Sequence, residues 1–483
     1  MATSPGIGRR RFLTRAATAV GAAALTRPRP ADAADPTTRP NILLICSDQQ
    51  HWAAMGVIDA RFDTPHLDSL AATATRFEHA YCTTPQCSPS RSTIYTGLYP
   101  HRTGVIGNIG SIDHHGQPVP GLRTDLDTLS SRLRRAGYHT GYTGKWHLGR
   151  HEIFTSHFDE AELDGDAHGG ATDQALAYLA ERAREPERPF ALMVNYINPH
   201  DIYDVSYGEP DLLARPPTFR SPPPPSFADT LEGKPVVHRE FMTDDQGQVL
   251  FGQDEERWER YREVYRDKCR LLDIEVGRVL AALDASGLAE RTIVVFVSDH
   301  GDMDTQHRLI YKGPFMYEHM VRVPLLIRAP EAFGGAAPRV CSDFAVLSDL
   351  TPTLCAFAKT DGATPDGASW RDFLTGGGPA PHRDYVVSQY YNKQSWTNPI
   401  RMLRTKEWKY NRYIDHGEEL YDLRSDPHEL HNLAADPGYA RAKAELRAEL
   451  DRWMTEHDDT AFDAYWSTRR DGTRRFLRPR EAG

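Results

Sequence analysis

Three stretches of the chain are apolar almost without interruption: Asn41-Ile42-Leu43-Leu44-Ile45-Cys46, Phe190 to Val194, and Ile293-Val294-Val295-Phe296-Val297. A strand with one wet face alternates apolar and polar residues. These do not, so they predict strands buried on both faces, as in a parallel sheet covered by helices. Between them apolar positions recur at three- and four-residue steps over Leu67 to Ala74, Leu126 to Ala136 and, longest, Tyr261 to Leu283. In the last, Tyr261, Val264, Tyr265, Leu272, Val276, Val279 and Leu283 fall on one helical face. This alternation predicts a large, doubly wound α/β domain over residues 34–375. Gly376-Gly377-Gly378-Pro379 reads as a linker. Beyond it, strand-like runs at Tyr385 to Ser388 and Lys409 to Tyr413 and a helix near Arg441 to Met454 predict a small α+β domain over residues 376–483.

Ligands of doubly wound sheets bind beyond the carboxyl ends of the strands. Polar clusters stand there: Asp48-Gln49-Gln50 after the first run, Asn198-Pro199-His200-Asp201 past the second, Asp299-His300-Gly301-Asp302 after the third. Asp48, Asp299 and His300 offer oxygen and nitrogen ligands of the kind that suit calcium or magnesium. Without a cation these acids would repel an anionic substrate, and for a single Asp after a strand a helix cap or turn is the commoner role. In Gly144-Lys145-Trp146-His147-Leu148-Gly149 an extended backbone would point Lys145 and His147 the same way, although the hexapeptide alone reads equally well as an exposed turn. His307, Lys312 and Glu318 add charge downstream, with Gly313-Pro314 able to bend the chain beside Lys312. Pro216-Pro217 and Pro222 to Pro225 mark a surface loop that can wall a pocket.

Composition narrows the field. With 40% apolar and 26% charged residues the chain suits a soluble enzyme, and a net charge of -10 leaves no basic field for nucleic acid. Arg9-Arg10-Arg11-Phe12-Leu13, an Ala-rich stretch through Leu25 and Ala31-Asp32-Ala33 resemble a twin-arginine export signal over residues 1–33, and no later run approaches the roughly 20 apolar residues of a membrane span. The expectation is a soluble periplasmic or extracellular protein. Six cysteines, at 46, 82, 87, 269, 341 and 355, could form up to three disulfides, but their spacing matches no stapled scaffold. Cys46, in an apolar run, reads as a buried thiol without a disulfide partner.

The sharpest pattern is Cys87-Ser88-Pro89-Ser90-Arg91, followed by Ser92-Thr93-Ile94-Tyr95-Thr96-Gly97. Taken alone, Cys87 is a structural thiol. Taken with the other clusters in this order, and with Thr64-Pro65-His66-Leu67-Asp68, Arg322-Val323-Pro324-Leu325, Tyr421-Asp422-Leu423 and Asp426-Pro427-His428-Glu429, the chain resembles the formylglycine-dependent sulfatases of the alkaline phosphatase superfamily. The resemblance covers most of residues 40–433. It implies an alkaline phosphatase-like fold and hydrolysis of a sulfate ester, a small molecule or a sulfated glycan. It also implies a maturation enzyme that oxidises Cys87 to formylglycine, which on the twin-arginine route would act before folding buries Cys87. The hydrated aldehyde would attack sulfur, the alcohol would leave, and a second hydroxyl would expel sulfate. Arg91 would support the hydrate, and His147 would act as base. His200 would contact sulfate or protonate the leaving oxygen. Lys145 and Lys312 would neutralise sulfate charge, and His307 would line the pocket. Calcium, with magnesium as the substitute, would be held by Asp48, Gln49, the modified Cys87, Asp299 and His300. Many relatives carry a second aspartate where this chain has Gln49. The pairing of Asp48-Gln49 with Asp299-His300 also resembles phosphodiesterases and phosphonate monoester hydrolases on the same scaffold, which leaves that alternative open beside a non-catalytic anion-binding protein.

Overall fold

The computed structural model describes residues 39–473 apart from 114–115, 150–152, 154–155, 163–169, 208–211, 219–220 and 470–471. The expected export signal at 1–33 lies outside the described residues. The strands in chain order are β1 (Asn41–Asp48), β2 (Thr75–Tyr81), β3 (His139–Gly144), β4 (Glu160–Glu162), β5 (Phe190–Pro199), β6 (Thr292–Ser298), β7 (Leu325–Arg328) and β8 (Arg339–Val346), then β9 (Tyr385–Lys393), β10 (Trp396–Thr405), β11 (Trp408–Tyr413) and β12 (Gly417–Asp422). The first eight form one sheet in the order β4-β3-β5-β1-β6-β7-β2-β8.

The three apolar runs are the adjacent parallel strands β5, β1 and β6 at the middle of this sheet. Leu43 pairs with Leu192 on one side and Val294 on the other, and all three enter one core; Leu44, Met193 and Val295, one residue on, enter the core on the opposite face. That is the pleat of a strand read in packing: successive side chains leave by opposite faces, so both must be covered. Helices α1 (Pro65–Thr73), α4 (Gly170–Arg182) and α5 (Glu255–Ala285) cover one face through Leu67, Leu70, Tyr178, Leu179, Val276 and Leu283. Helices α2 (Cys87–Thr96) and α3 (Leu129–Arg135), together with the small sheet, cover the other. Each fully buried aliphatic side chain contributes about 1.5–3 kcal/mol to holding these layers together. One strand departs from the expected parallel arrangement: β7 runs antiparallel to both β6 and β2, because the chain turns back over the strand ends between residues 299 and 324 and re-enters the sheet from the opposite side.

β9 to β12 form an antiparallel meander in chain order, packed by α6 (Ala440–Glu456) through Leu446, Leu450 and Trp453. The helix expected from Leu126 begins instead at Leu129, since Thr128 Oγ1 accepts from the Ser131 N–H at 3.2 Å and Ser131 Oγ accepts from the Thr128 N–H at 3.0 Å, a reciprocal cap that fixes the start. All six cysteines are buried and free.

Helix α1 carries no cap of its own. Thr64 makes no side-chain capping bond and Pro65 opens the helix, so the cap comes from α5: the buried Asp273 carboxylate accepts from the His66 N–H at 3.1 Å and the Leu67 N–H at 2.7 Å. Replacing Asp273 by Ala leaves both donors without a partner, that of Leu67 buried. The expected loss is about 1–3 kcal/mol of stability, read as a lowered midpoint in urea unfolding, with Asp273→Asn losing less.

Candidate active site

The site stands at the carboxyl ends of β1, β5 and β6. Cys87 opens α2, a helix in which every residue is buried. Pro89 costs nothing there, because first-turn N–H groups have no partner inside the helix. Four residues on, Arg91 stacks beneath Cys87 on the same helical face. Its guanidinium is fully buried and spends its donors on the strand ends: Nε to Asp299 Oδ2 at 2.9 Å, Nη2 to Asp48 Oδ2 at 3.1 Å, and Nη1 to the Lys145 carbonyl at 2.9 Å and Asn195 Oδ1 at 3.1 Å. The spacing of C-x-P-x-R thus places a thiol above and a guanidinium below on one helical turn.

Around Cys87 Sγ lie Lys312 Nζ at 3.2 Å, His300 Nε2 at 3.3 Å, Asp48 Oδ1 at 3.5 Å and Lys145 Nζ at 3.8 Å. His147 and His200 also stand close enough to bias this side chain's ionisation. Burial by itself would push the thiol up, but Lys145, Lys312 and His300 outweigh it and hold Cys87 well below the usual thiol range. The other five cysteines lack such surroundings. Burial pushes up Cys46, Cys82, Cys269, Cys341 and Cys355. Burial also pushes His200 down, to about 3, with Lys145 and Lys312 adding to it, so this imidazole is neutral.

Ligand atoms of Asp48, Cys87, Asp299 and His300 all lie within 4.8 Å of one another. Asp299 is pushed up to about 6 by burial and by the Asp48 carboxylate, which marks a place short of positive charge despite Arg91. Two carboxylates and an imidazole fit a divalent cation. With sulfur as the fourth donor the set is mixed, and with oxygen there it becomes the oxygen-rich set of calcium or magnesium. Gln49 stands beside this cluster in a left-handed backbone conformation, φ 69°. Its amide oxygen accepts from Lys312 Nζ at 2.5 Å, and its nitrogen donates to Asp302 Oδ2 at 2.7 Å.

Of the two readings left open for Lys145 and His147, the extended one is not found. His147 takes φ 55°, Trp146 turns into the core against Tyr95 and Tyr142, and the two functional side chains still converge on Cys87. Gly144 permits this: at φ 86° a Cβ would stand 1.9 Å from the Asn195 carbonyl oxygen, so no other residue fits where β3 meets β5. His307 is not brought to the cluster. Left-handed conformations at His307, Arg308 and Tyr311 reverse the chain, and the imidazole stacks on Tyr317 with Nδ1 at 2.6 Å from Asp229 Oδ2. It lines a separate cavity of about 580 Å³ with Arg262, Asp304 and Pro224, whereas His147, His200 and Lys312 line one of about 400 Å³.

That smaller cavity also takes Ser111, Tyr203, Gln246, Lys393 and Gln394, so the hairpin between β9 and β10 forms part of its wall. Tyr203, an aromatic that sequence alone would assign to packing, is one of its walls, while Trp396 is core. Asn195, Asp302 and Lys393 were not legible as site residues. Asp302 stands within a motif that sequence reading isolates, whereas nothing in the sequence around Asn195 or Lys393 signals a role.

The family profile described as Sulfatase matches residues 40–360. The chain belongs to the sulfatase family. A second profile, the C-terminal region of N-sulphoglucosamine sulphohydrolase, matches residues 306–456. Among curated sulfatases, the chain is 29% identical over 450 residues to the Delta 4,5-hexuronate-2-O-sulfatase of Bacteroides thetaiotaomicron, covering 88% of this chain and 91% of that one. It is 29% identical over 488 residues to the choline-sulfatase of Rhizobium meliloti, covering 89% of each. A solved 2-O GAG sulfatase superposes with a TM-score of 0.77 at 27% identity, covering 89% of this chain and 95% of that one. Of the activities left open by the motifs, sulfuric ester hydrolysis is the one these relatives carry.

In metal-free protein made without maturation, the Cys87 thiol should ionise at a lower pH than an ordinary cysteine. The far-ultraviolet thiolate absorbance should exceed that of Cys87→Ser by one thiolate, and Lys312→Ala should shift its appearance to higher pH as the burial penalty regains weight.

Proposed function

We propose that this sulfatase removes sulfate from a sulfated sugar through a formylglycine made from Cys87. The observation that carries the reading is the set of cations and imidazoles converging on Cys87 alone among six buried cysteines. A sugar is supported by the relatives that act on hexuronate and GAG sulfates, and by a cavity of about 400 Å³ lined with amides, hydroxyls and ammonium groups.

Once formed, formylglycine supplies, as its hydrate, the hydroxyl that attacks sulfur. Asp48, Asp299, His300, residue 87 and the Gln49 amide oxygen would hold calcium, which would supply positive charge at the site. The chain's own groups do the rest. Arg91 keeps both carboxylates and residue 87 in register. Lys145 and Lys312 take sulfate oxygens and meet the charge that develops on them, the kind of preorganised contact that contributes most to such reactions. His147 accepts a proton at residue 87. His200, being neutral, donates a hydrogen bond to the leaving oxygen rather than acting as an ionised acid. His307, held by Asp229 in the other cavity, takes no part.

Because the whole of α2 is buried, the maturation enzyme acts on Cys87 before the chain folds. A twin-arginine route to the periplasm or the medium, which carries folded protein, fits that order. Among the described residues no helix is long and apolar enough to cross a membrane. Residues 34–375 form the catalytic domain in this reading, and 376–483 the smaller domain whose hairpin closes the pocket.

Mass spectrometry of the Cys87 peptide, on protein from a host with the maturation enzyme, should give the aldehyde mass; unmodified cysteine in active protein would sink the aldehyde mechanism. With para-nitrophenyl sulfate, Cys87→Ala should be inactive and Lys312→Ala should lose about 10²–10³-fold in kcat.

Calcium should raise the melting temperature of chelator-treated protein, by an amount equivalent to about 2.7 kcal/mol at a hundredfold excess over Kd. Asp299→Asn should abolish that shift, and an unchanged shift would place the cation elsewhere.

A further inference from the structure

Lys312 sits in a stretch with no ladder of its own. Residues 311–317 are neither helix nor strand, yet all are buried. Buried carbonyls must find donors, and two lysines of the small sheet provide them. Lys393, the last residue of β9, donates from Nζ to the Lys312 carbonyl at 2.5 Å; Lys409, on β11, donates to the Met316 carbonyl at 3.0 Å. Just before the first of these carbonyls Tyr311 holds a left-handed φ of 55°, a conformation that a bulky residue keeps only where its surroundings impose it. At the far end of the Lys312 side chain, Nζ reaches Cys87 Sγ at 3.2 Å and Gln49 Oε1 at 2.5 Å.

We infer that Lys393 is a positioning residue for the reaction: by holding the Lys312 carbonyl it fixes the backbone from which the catalytic ammonium reaches residue 87. This rests on the reading of Lys312 as the sulfate-binding cation. An ammonium has three N–H donors. Among the described residues, Lys393 donates to the Lys312 carbonyl, to Gln246 Oε1 and, at 3.4 Å, to Tyr203 Oη. Although Lys393 lines the substrate cavity, its hydrogen bonds are thus spent on the wall. The Tyr203 ring lies 5.5 Å from the Lys312 ammonium and 5.8 Å from that of Lys393, and it stacks on Tyr311 at 4.1 Å, so one aromatic plate accommodates both charges and braces the same segment. The small sheet therefore serves the chemistry without touching the reacting atoms.

The test is a double-mutant cycle on matured, calcium-loaded enzyme with para-nitrophenyl sulfate, at a temperature where each variant is folded. Lys393→Met should lower kcat by about 10–100-fold with KM within about threefold of wild type, and Lys393→Arg should recover part of the loss. Lys312→Ala/Lys393→Met should be no slower than Lys312→Ala, because the second change has nothing left to misplace. Losses that multiply, or a raised KM with kcat intact, would overturn positioning while leaving the site as read. An unchanged kcat in Lys312→Ala would overturn the site reading itself, and positioning with it. If Lys393→Met does not fold, Lys393→Gln takes its place in the same cycle.

Discussion

One guanidinium holds two carboxylates where they would otherwise repel each other. Asp48 ends β1 and Asp299 follows β6, and parallel pairing of these central strands brings the two acids together at their carboxyl ends. Arg91, wholly buried, bridges them. In a low-dielectric interior a like-charge pair is costly, and removing one partner from such an arrangement typically costs about 3–5 kcal/mol. The bridge also fixes α2, because Arg91 and Cys87 share one helical face. The orientation of Cys87 and of the side chains gathered around it follows from that contact.

Around this bridge, charge balance divides the work. Arg91 answers the carboxylates from below, while Lys145 and Lys312 answer Cys87 from its other side. Lys145 touches both sets, with Nζ at 2.7 Å from Asp48 Oδ2. The smaller cavity is lined by the ammonium groups of Lys312 and Lys393, while the carboxylates of Asp48 and Asp299 are fully buried.

Much of this was legible because buried parallel strands leave uninterrupted apolar runs. β1, β5, β6 and the long helix α5 were plain, and so was the clustering of polar residues at the strand ends. β2 and β3 were not: Arg76, Glu78 and His79 interrupt one, Gly141 and Gly144 the other, and tertiary contacts rather than local preference make them strands. The direction of β7 was hidden for another reason: its short apolar run, Leu325-Leu326-Ile327, does not fix which way a strand runs. Among site residues, the motif order placed Cys87, Arg91, Lys145, His147, His200 and Lys312 on one cluster. It also suggested His307, five residues from Lys312, because spacing along the chain says nothing of three left-handed residues that reverse its direction. Lys393 was illegible in principle, since its contact is with a backbone carbonyl 81 residues away.

β1, β5 and β6 are neighbours in space, yet their partners are drawn from opposite ends of a long stretch of chain, and α2 and the 299–317 segment must dock on strands made far apart in sequence. Loop closure of that length is paid for before the contacts that reward it form, which makes such topologies slow to assemble. The pocket consequently has no partial form: an incomplete chain lacking β6 possesses neither Asp299 nor Lys312, so hydrolytic competence arrives at once, as the last gift of a finished sheet.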